Sequence, residues 1–508
     1  MTSTQFRLLL LAAAVSSGCG LAAELLLGTL ASYLVGNQAL AYGVAVGGFL
    51  AAMGVGSYLS QFIFAQGDRT QQRQYLLVSF LKVELLIAPL TALLPLGLFA
   101  VFVVNGPFWI GLSLATLLLG MLAGMEVPLL TRLVELDKEL RDAIAQVLAL
   151  DYVGALLGSL AFPIILLPTV GLFPAAAIIG AFPAWMVVVI TQVFRGVTTW
   201  RRWGIALGLG LWAFAVIALP LGHRLEDNLY GAPIMVRHQS AYQRIVVTRW
   251  DRDVRLFLDG DLQLSTLDEH RYHEPLIHPA MSASGDRHRV LVLGAGDGMA
   301  LREILKWPEV ERVLMIELDP AVVQLAQRHP TLVQRHGQAF DDPRVDVQYG
   351  DAFKVVPTLT ERFDVVVADF PDPDQAVTAK LYTKGFYQQI QRILSDTGVF
   401  VTQASSPFFA PKVLACISET LKATGLIPHP YLSTIPSFGP WGFVLATRTA
   451  IAIDELSLPV PTRYLTPAVM HHLFTLPKDI RTDGVEINRL AHPIIVQYQA
   501  DPRWAWYD

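Results

Sequence analysis

Four acidic residues in the second half of the chain each follow a short apolar run. Asp297 lies in GAGDG after RVLVL, Glu317 ends RVLMIE, Asp351 follows RVDVQYG, and Asp369 ends FDVVVAD. Carboxylates can hold ammonium groups, accept hydrogen bonds from hydroxyls, or take a proton from a reacting amine. One acid after an apolar run would mean little, but four in succession predict a site that binds a cationic ligand.

The elements that position these acids are indicated by the same region. From about Arg289 onward, apolar runs alternate with helical stretches, which predicts a doubly wound, Rossmann-like α/β domain. In open α/β sheets, ligands bind outside the carboxyl ends of the strands, where the four acids are expected to gather. The predicted strands lie within 289–298, 312–319, 344–353, 363–374 and 398–406.

The glycine-rich turn and the acids that follow it suit a nucleoside. Gly294, Gly296 and Gly298 let the backbone approach the ligand closely, Glu317 can accept hydrogen bonds from both ribose hydroxyls, and Asp351 can accept one from the amine of adenine. The turn alone is equally consistent with an ordinary dinucleotide-binding or S-adenosylmethionine-binding domain.

Asp297 within the turn narrows the choice of nucleoside. S-adenosylmethionine carries a carboxylate on its amino-acid arm, which Asp297 would repel, whereas the decarboxylated form ends in an ammonium that Asp297 would hold. The segment DFPDPD adds Asp372, three positions after Asp369 on a proline-stiffened turn. Paired carboxylates with apolar walls between them suit a polyamine, which consists of methylene and ammonium groups.

The region from about Gln239 to Arg448 resembles the spermidine synthases. The segments that carry the resemblance occur in that family's order: SAYQRIVVT (240–248), LFLDGDLQLSTLDEHRYHEPLIHPAM (256–281), GAGDG, IELD, GDAF, DFPDPD, YTKGFY (382–387) and STIPSFGPWGF (433–443). The resemblance implies a small β domain at 223–285, which forms one wall of the cleft. A Rossmann-like domain with a C-terminal extension would follow at 286–508.

The resemblance also implies a reaction. An aminopropyl group would pass from decarboxylated S-adenosylmethionine to putrescine, giving spermidine and methylthioadenosine without a metal or further cofactor. Asp369 would be the proton acceptor, because an amine with a pKa of about 10 must lose a proton before it attacks. Asp297 would bind the ammonium of the donor. The other implied contacts are those of Tyr272, His273 and Asp372 with the acceptor and those of Gln243, Gly294, Gly296, Glu317, Asp351 and Ala352 with the nucleoside.

Three positions depart from the usual pattern of that family. Ala295 and Met299 stand where the family often has glycines, which is tolerable if only the backbone is used there. Phe438 stands in the loop STIPSFGPWGF at a position where tyrosine is common. By the resemblance, this change would alter the contact with the far end of the acceptor and so bears on which acceptor is used.

Residues 1–222 differ in composition from the rest of the chain. The whole sequence is 53% hydrophobic and only 16% charged, against about 25% charged residues in soluble domains. We therefore expect a multi-pass transmembrane bundle of about seven helices in the cell membrane, with the lipid bilayer as a partner. The net charge of −5 and the lack of a basic stripe argue against nucleic acid as a partner. The stretches long enough to cross a ~30 Å hydrocarbon core are roughly 8–35, 39–64, 75–104, 107–130, 143–168, 171–194 and 203–222.

The charges of the connecting segments and the number of helices together predict a side of the membrane for the second half of the chain that conflicts with the location of its cosubstrate. Lysine and arginine concentrate in the second, fourth and sixth connections, which by the positive-inside rule places the N-terminus in the cytoplasm. Seven crossings would then leave the second half of the chain outside. The cosubstrate is a cytosolic metabolite, so we expect a cytoplasmic catalytic domain, and the sequence leaves this conflict open.

Two other functions stay open at this point. A methyltransferase would have to tolerate the carboxylate of ordinary S-adenosylmethionine beside Asp297. A polyamine transporter or a membrane scaffold, with the synthase-like half only regulatory, would use ionisable residues within the apolar stretches, such as Glu24, Glu84 and Glu126. Such residues are costly in lipid and are often functional. The oligomeric state is also open, and a homo-oligomer is one of the alternatives.

Overall fold

The structure is a computed structural model that describes residues 1–35, 38–64, 67–104 and 106–500. The chain forms two compact units, Met1–Pro233 and Ile234–Asp508. The aromatic C-terminal sequence WAWYD (504–508), for which the sequence indicates no role, lies outside the described residues.

The first unit is built from α-helices. Seven helical segments within the described residues are long and apolar enough to cross a membrane, judged by length and composition. The fifth of them combines two α-helices joined by a π-helical turn at Phe162–Leu166. The α-helices are α1 (Ser3–Val35), α2 (Gln38–Leu59), α3 (Arg69–Val103), α4 (Phe108–Glu135), α5 (Leu140–Ala161), α6 (Leu167–Val170), α7 (Leu172–Val193) and α8 (Arg201–Tyr230).

Small residues let α1 and α5 approach each other closely. A Cβ atom at Gly154 would lie 1.8 Å from the carbonyl oxygen of Ala14, and one at Gly158 would lie 2.1 Å from the carbonyl oxygen of Gly18. Helices in an apolar environment associate mainly through close van der Waals packing. Glycine at these two positions therefore allows the contact between the two helices.

Side-chain contacts identify the two ends of the helical bundle. At one end, the amino group of Met1 and the guanidinium of Arg73 both contact Asp137, at 3.2 and 2.6 Å. At the other end, the hydroxyls of Tyr33 and Tyr230 lie 3.1 Å apart. Helix α1 links the two ends, and its 33 residues span roughly 50 Å at 1.5 Å per residue. The chain thus leaves the bundle at the end opposite to its N-terminus.

Helix α8 extends beyond the apolar stretch that predicted it. The apolar composition ends near residue 222, but the helix continues through the polar sequence HRLEDNLY to Tyr230. Composition marks where the apolar side chains end, whereas the helix propensity of leucine, arginine and glutamate carries the backbone further. The second unit accordingly begins at Ile234 and not at residue 223.

The second unit opens with a four-stranded antiparallel sheet in the order β1–β2–β3–β4. The hairpin between the last two strands turns at Asp259 and Gly260, which both have a positive φ, as tight hairpin turns require. The strands are β1 (Ile234–Gln239), β2 (Arg244–Trp250), β3 (Asp253–Leu258) and β4 (Asp261–Ser265).

A seven-stranded sheet forms the centre of the second unit, in the order β10–β11–β9–β8–β5–β6–β7. Strands β5 to β9 run parallel, and β10 and β11 form an antiparallel hairpin at one edge. This topology confirms the predicted Rossmann-like domain. The strands are β5 (Arg289–Gly294), β6 (Arg312–Glu317), β7 (Val345–Tyr349), β8 (Phe363–Asp369), β9 (Leu394–Gln403), β10 (Ile427–Ile435) and β11 (Gly439–Thr447). The helices are α9 (His270–Ala283), α10 (Met299–Leu305), α11 (Pro320–Arg328), α12 (Pro330–His336), α13 (Ala352–Val355), α14 (Ala376–Ala379), α15 (Lys384–Ile393), α16 (Pro411–Lys422), α17 (Pro467–Leu473) and α18 (Ile494–Gln499).

Apolar side chains cover both faces of the seven-stranded sheet. Trp307 and Tyr431 lie in the core on one face, and Tyr387 and Phe400 lie in the core on the other. The strand interiors of β5 and β8 are fully buried, as expected for parallel strands between two layers of helices. The apolar runs stop at the carboxyl ends of the strands, where the acidic residues begin.

Candidate active site

A cavity of about 830 Å³ opens at the carboxyl ends of the central parallel strands. In sheet order, β8, β5, β6 and β7 end at or lead to Asp369, Asp297, Glu317 and Asp351, and all four residues line the cavity. The register pairs Gly294 with Asp369 on neighbouring strands. Because neighbouring parallel strands end at the same edge of a sheet, the four acids share one site.

The turn after β5 requires glycine at Gly294 and leaves little room for a side chain at Gly296. Gly294 has a φ of 80°, and a Cβ atom there would lie 2.1 Å from the carbonyl oxygen of Asp369. A Cβ atom at Gly296 would lie 2.9 Å from Oε2 of Glu317. Between them, Ala295 has a φ of 60°, a left-handed conformation that costs an L-residue about 1–2 kcal/mol. The turn thus brings the backbone close to two acids and retains strain at Ala295.

Glu317 at the end of β6 is held by its own chain. Its Oε1 accepts a hydrogen bond of 3.0 Å from the amide of Asp319, and burial raises the pKa of Glu317 to about 7. Asp319 also accepts hydrogen bonds from Gln243 Nε2 at 3.0 Å and from Ser240 Oγ at 2.6 Å. Asp319 therefore fixes the position of Gln243. The sequence analysis missed Asp319, although its position two residues after a strand-terminal acid could have indicated it.

Asp351 is already paired within the chain. Its Oδ1 accepts a hydrogen bond from the amide of Phe353 at 3.0 Å, and its Oδ2 forms an ion pair of 2.7 Å with Lys380. Lys380 also lies 5.5 Å from the centre of the Phe353 ring and lines the cavity. Ala352 begins the short helix α13 and lines the cavity next to Asp351. A nucleoside amine that reaches Asp351 would share this carboxylate with Lys380, which the sequence analysis missed.

Asp369 has the environment of a general base. Tyr272 donates a hydrogen bond of 2.5 Å from its hydroxyl to Oδ1 of Asp369. Burial raises the pKa of Asp369 to about 6, an effect that His273 and Tyr272 oppose and that Asp297 reinforces. A carboxyl group with this pKa is largely ionised at neutral pH and is a better proton acceptor than an exposed aspartate. The structure thus brings Tyr272 and Asp369 together at one point.

His273 lies between two carboxylates and does not line the cavity. Its Nδ1 is 2.8 Å from the carbonyl oxygen of Glu269 and 3.3 Å from Oε2 of the same residue, and its Nε2 is 3.6 Å from Oδ2 of Asp297. Burial alone would lower the pKa of His273, but Asp297 and Glu269 raise it to about 10. His273 is therefore an imidazolium that positions Asp297. The sequence analysis expected it to contact the acceptor, and the structure gives it a different neighbour.

Ion pairs continue behind His273 into the core. Arg302 binds both carboxylate oxygens of Glu269, at 3.0 and 2.8 Å, and its Nε donates to Glu303 at 2.7 Å. Burial raises the pKa of Glu269, but His273 and Arg302 together lower it to well below its usual range. Opposite charges thus alternate from Asp297 to Glu303. The spacing of four between Glu269 and His273 was the local signal that could have indicated this chain of charges.

Asp372 is fixed by three hydrogen-bond donors. Its Oδ1 accepts from Gln403 Nε2 at 3.2 Å, and its Oδ2 accepts from Ser405 Oγ and Gln499 Nε2, each at 3.0 Å. Burial raises the pKa of Asp372 to about 6. The sequence analysis singled out Asp372 but none of these partners, because they lie 31 to 127 positions further along the chain.

The turn between β10 and β11 carries aromatic side chains to the cavity. Both carboxylate oxygens of Asp268 accept hydrogen bonds from Ser437, one from its amide at 2.7 Å and one from its hydroxyl at 2.9 Å. Next to this anchor, Phe438 and Trp441 line the cavity, and the Phe438 ring lies 6.2 Å from the ring of Tyr272. Asp268 is a further positioning residue that the sequence analysis missed.

Comparisons with known proteins show to which family the chain belongs. A family model described as "Spermine/spermidine synthase domain" matches residues 269–455. Polyamine aminopropyltransferase 2 of Ralstonia nicotianae is 39% identical over 504 residues, which cover 97% of each chain. The chain belongs to the spermine/spermidine synthase family. Polyamine aminopropyltransferase of Leptospira interrogans is likewise similar to this synthase, with 37% identity over 505 residues that cover 96% of this chain and 97% of the relative.

The matches differ in how much of the synthase they cover. A crystal structure of spermidine synthase from Thermotoga maritima covers 48% of this synthase and 84% of its own chain, with 27% identity and a TM-score of 0.44. The match to the family model does not extend over the helical bundle or over the C-terminal segment after residue 455. The two aminopropyltransferase relatives extend over nearly the whole chain.

Ten of the twelve residues that the sequence analysis assigned to the nucleoside, the donor or the acceptor line the cavity, and the other two, His273 and Gly298, do not. Within the residues that the structure describes, no group of three or more His, Cys, Asp or Glu side chains is arranged to hold a metal ion. The named residues that line the cavity are Gln243, Tyr272, Gly294, Gly296, Asp297, Glu317, Asp351, Ala352, Asp369 and Asp372.

Proposed function

We propose that this synthase transfers the aminopropyl group of decarboxylated S-adenosylmethionine to putrescine, forming spermidine and methylthioadenosine. The observation that carries the proposal is the set of three carboxylates that line one cavity, those of Asp297, which is buried, and of Asp369 and Asp372, which are partly buried. The Tyr272 hydroxyl donates a hydrogen bond to Asp369. Both substrates are cations, and carboxylates in a site of reduced polarity attract cations strongly. The aminopropyltransferase relatives support the same reaction.

In this proposal, Asp297 selects the donor. The amide of Met299 donates to Oδ1 of Asp297 at 2.8 Å, and the imidazolium of His273 lies beside Oδ2. The carboxylate is therefore fixed in position, where it can attract the ammonium of the decarboxylated donor. The carboxylate of ordinary S-adenosylmethionine would meet a like charge there, which disfavours a methyltransferase. Glu317 accepts hydrogen bonds from the ribose of the bound donor.

The acceptor amine attacks the propyl carbon next to the sulfonium. A carbon–nitrogen bond forms, the carbon–sulfur bond breaks with its electron pair going to sulfur, and methylthioadenosine leaves as a neutral thioether. Asp369 takes the proton that the amine loses, because a pKa of about 6 leaves it ionised at neutral pH. Tyr272 holds this carboxylate in place, and Asp372 provides a second negative charge for the acceptor.

Product analysis by mass spectrometry tests the reaction. Purified full-length protein is incubated with decarboxylated S-adenosylmethionine and one diamine at a time, and we expect equal amounts of spermidine and methylthioadenosine from putrescine. Asp369→Asn should abolish turnover while methylthioadenosine still binds. Asp396→Asn, at a side chain that is 94% exposed, should behave as wild type. A methylated product from ordinary S-adenosylmethionine, or an active Asp369→Asn variant, would overturn the proposal.

We further propose that the first unit spans the cell membrane and that the catalytic unit faces the cytoplasm. Seven helical segments have the required length and composition, and a cytoplasmic catalytic unit has direct access to its donor. The basic connections meet at the end of the bundle that carries the N-terminus, where Gln74 donates to the carbonyl of Gly196 at 3.0 Å and Arg73 binds Asp137. The positive-inside rule alone would place that end in the cytoplasm. The proposed orientation departs from that rule, because the catalytic unit must reach a donor that is present in the cytosol.

Labelling of single cysteines tests this orientation. In a background with Cys19→Ala and Cys416→Ala, one cysteine is introduced either at Asp396 in the catalytic unit or at Arg141 near the basic end, where the native side chains are 94% and 86% exposed. With a membrane-impermeant maleimide on intact spheroplasts, we expect labelling at position 141 but not at 396. Permeabilised cells should label both. Labelling at 396 alone in intact spheroplasts would overturn the orientation, and recovery of the protein in the soluble fraction would overturn the membrane location.

A further inference from the structure

A C-terminal segment outside the family-matched region reaches the cavity. Helix α18 (Ile494–Gln499) begins almost forty residues after the matched segment 269–455 ends. Its buried residues Ile494 and Ile495 lie in the core on one face of the seven-stranded sheet. Before the helix, Asn488 is fully buried and donates a hydrogen bond of 3.0 Å to the carbonyl of Ala379. The segment is therefore a fixed part of the catalytic unit.

The last residue of α18 contributes one end of its side chain to the site. Gln499 is only 8% exposed and lines the cavity. Its Nε2 donates a hydrogen bond of 3.0 Å to Oδ2 of Asp372. The amide must face the carboxylate with its nitrogen, because its oxygen would be repelled there. The oxygen Oε1 is consequently turned away from Asp372.

The other end of the Gln499 side chain has no partner among the residues that the structure describes. Among the described residues, no donor lies within hydrogen-bond distance of Oε1 of Gln499, although this atom is buried. Gln403 in the same site differs, because its Nε2 donates to Asp372 and to the carbonyl of Phe370 while its Oε1 accepts from the amide of Ser405 at 2.7 Å. A glutamine with a purely structural role is expected to satisfy both ends, as Gln403 does.

We propose that Gln499 is a binding and specificity residue for the acceptor amine. Its Nε2 keeps Asp372 ionised and oriented, and its Oε1 accepts a hydrogen bond from a primary ammonium group of the acceptor. An ammonium group has only donors, so it matches both the free oxygen of Gln499 and the carboxylate of Asp372. The inference rests on the proposed function and adds that a residue of the C-terminal segment helps to select aliphatic diamines.

The same helix offers a matched control. Gln497 is exposed and lies two positions before Gln499, so Gln497→Met makes the same chemical change on the same helix without touching the cavity. Gln499→Met retains a similar size but loses both the donor and the acceptor. Gln499→Glu retains an oxygen acceptor but replaces the donor with a second carboxylate beside Asp372.

Steady-state kinetics of the full-length protein test whether Gln499 binds the acceptor amine. We expect Gln499→Met to raise KM for putrescine about 10- to 100-fold, the range for loss of a hydrogen bond to a charged group, with KM for the decarboxylated donor unchanged within about twofold. Gln497→Met should match wild type. Gln499→Glu should move the acid limb of kcat/KM for putrescine to higher pH, because a neighbouring carboxylate raises the pKa of Asp372.

Other kinetic results would overturn either the inference about Gln499 or the proposed function. A Gln499→Met variant with wild-type KM for putrescine, or with equal losses for both substrates, would overturn the inference. If Gln499→Met does not fold, as measured by thermal unfolding, an unchanged pH profile and an unchanged KM for putrescine in Gln499→Glu would overturn it instead. A wild-type protein that makes no spermidine would contradict the proposed function itself, and would be recognised before any variant is compared.

Discussion

Asp297 and His273 form a buried ion pair in which Oδ2 of Asp297 lies 3.6 Å from Nε2 of His273. The pair is fixed from both sides, because Met299 donates its amide to Asp297 and Glu269 holds the other ring nitrogen of His273. A separation of 3.6 Å is too long for a direct hydrogen bond. Oδ2 of Asp297 therefore keeps its capacity to accept a hydrogen bond from a ligand.

This relationship predicts the effect of Asp297→Asn on donor selection. The variant has nearly the same shape and retains the contact with Met299, but it loses the negative charge. We expect KM for the decarboxylated donor to rise about 10- to 100-fold, because a charge-assisted hydrogen bond is lost, while inhibition by ordinary S-adenosylmethionine becomes stronger. Inhibition assays with both nucleosides measure the change. Unaltered discrimination between them would show that Asp297 does not contact the amino-acid arm.

The same ion pair predicts a pH-dependent stability. The pKa of His273 is about 10 in the folded protein and about 6.5 in an unfolded chain. The stabilisation is therefore complete below about pH 6.5 and is lost as the pH rises towards 10. We expect His273→Gln to reduce the free energy of unfolding by about 3 kcal/mol at pH 6.5 and by much less near pH 10.

Thermal unfolding of wild type and His273→Gln at several pH values measures this difference. His238→Gln, at an exposed histidine of β1, is the control and should follow wild type throughout. A difference between wild type and His273→Gln that stays constant from pH 6.5 to 10 would contradict a protonated His273.

The hydrogen bond from Tyr272 to Asp369 predicts a shift in the pH profile. The Tyr272 hydroxyl donates to the ionised carboxylate and so lowers the pKa of Asp369. Without it, the pKa rises, and the acid limb of kcat/KM for Tyr272→Phe should move upward by about one pH unit. Tyr349→Phe, at a side chain that is 51% exposed, should leave the profile unchanged. An acid limb at the wild-type pH in Tyr272→Phe would mean that Asp369 is not the group that titrates.

The sequence could predict the acids of the site because each one follows a local pattern. Glu317 and Asp369 end buried apolar runs, and Asp297 lies in a glycine turn directly after another. Their partners could not be found in this way. Gln499 reaches Asp372 across 127 positions and Arg302 reaches Glu269 across 33. Tertiary packing determines which of these polar side chains contact each other, and a local sequence pattern does not predict such contacts.

His273 shows a second limit of sequence reasoning. It is adjacent to Tyr272 near the start of α9, and successive residues of an α-helix point about 100° apart. Tyr272 therefore reaches Asp369 in the cavity, whereas His273 turns back to Glu269, one helical turn earlier. The segment was identified as part of the site, but the direction of each side chain depends on how the helix is docked.

The turn after β5 predicts opposite responses at two adjacent residues. Ala295 has a φ of 60°, so Ala295→Gly removes a strain of about 1–2 kcal/mol at the cost of about 0.5–1 kcal/mol of backbone entropy. The net change should be neutral to slightly stabilising, with activity retained. At Gly294, by contrast, a Cβ atom would lie 2.1 Å from the carbonyl oxygen of Asp369. Gly294→Ala must therefore displace the backbone of the proposed base, and we expect a clear loss of both stability and kcat. Thermal unfolding and turnover of both variants measure the contrast, and a fully active Gly294→Ala would mean that the position of Asp369 does not limit the reaction.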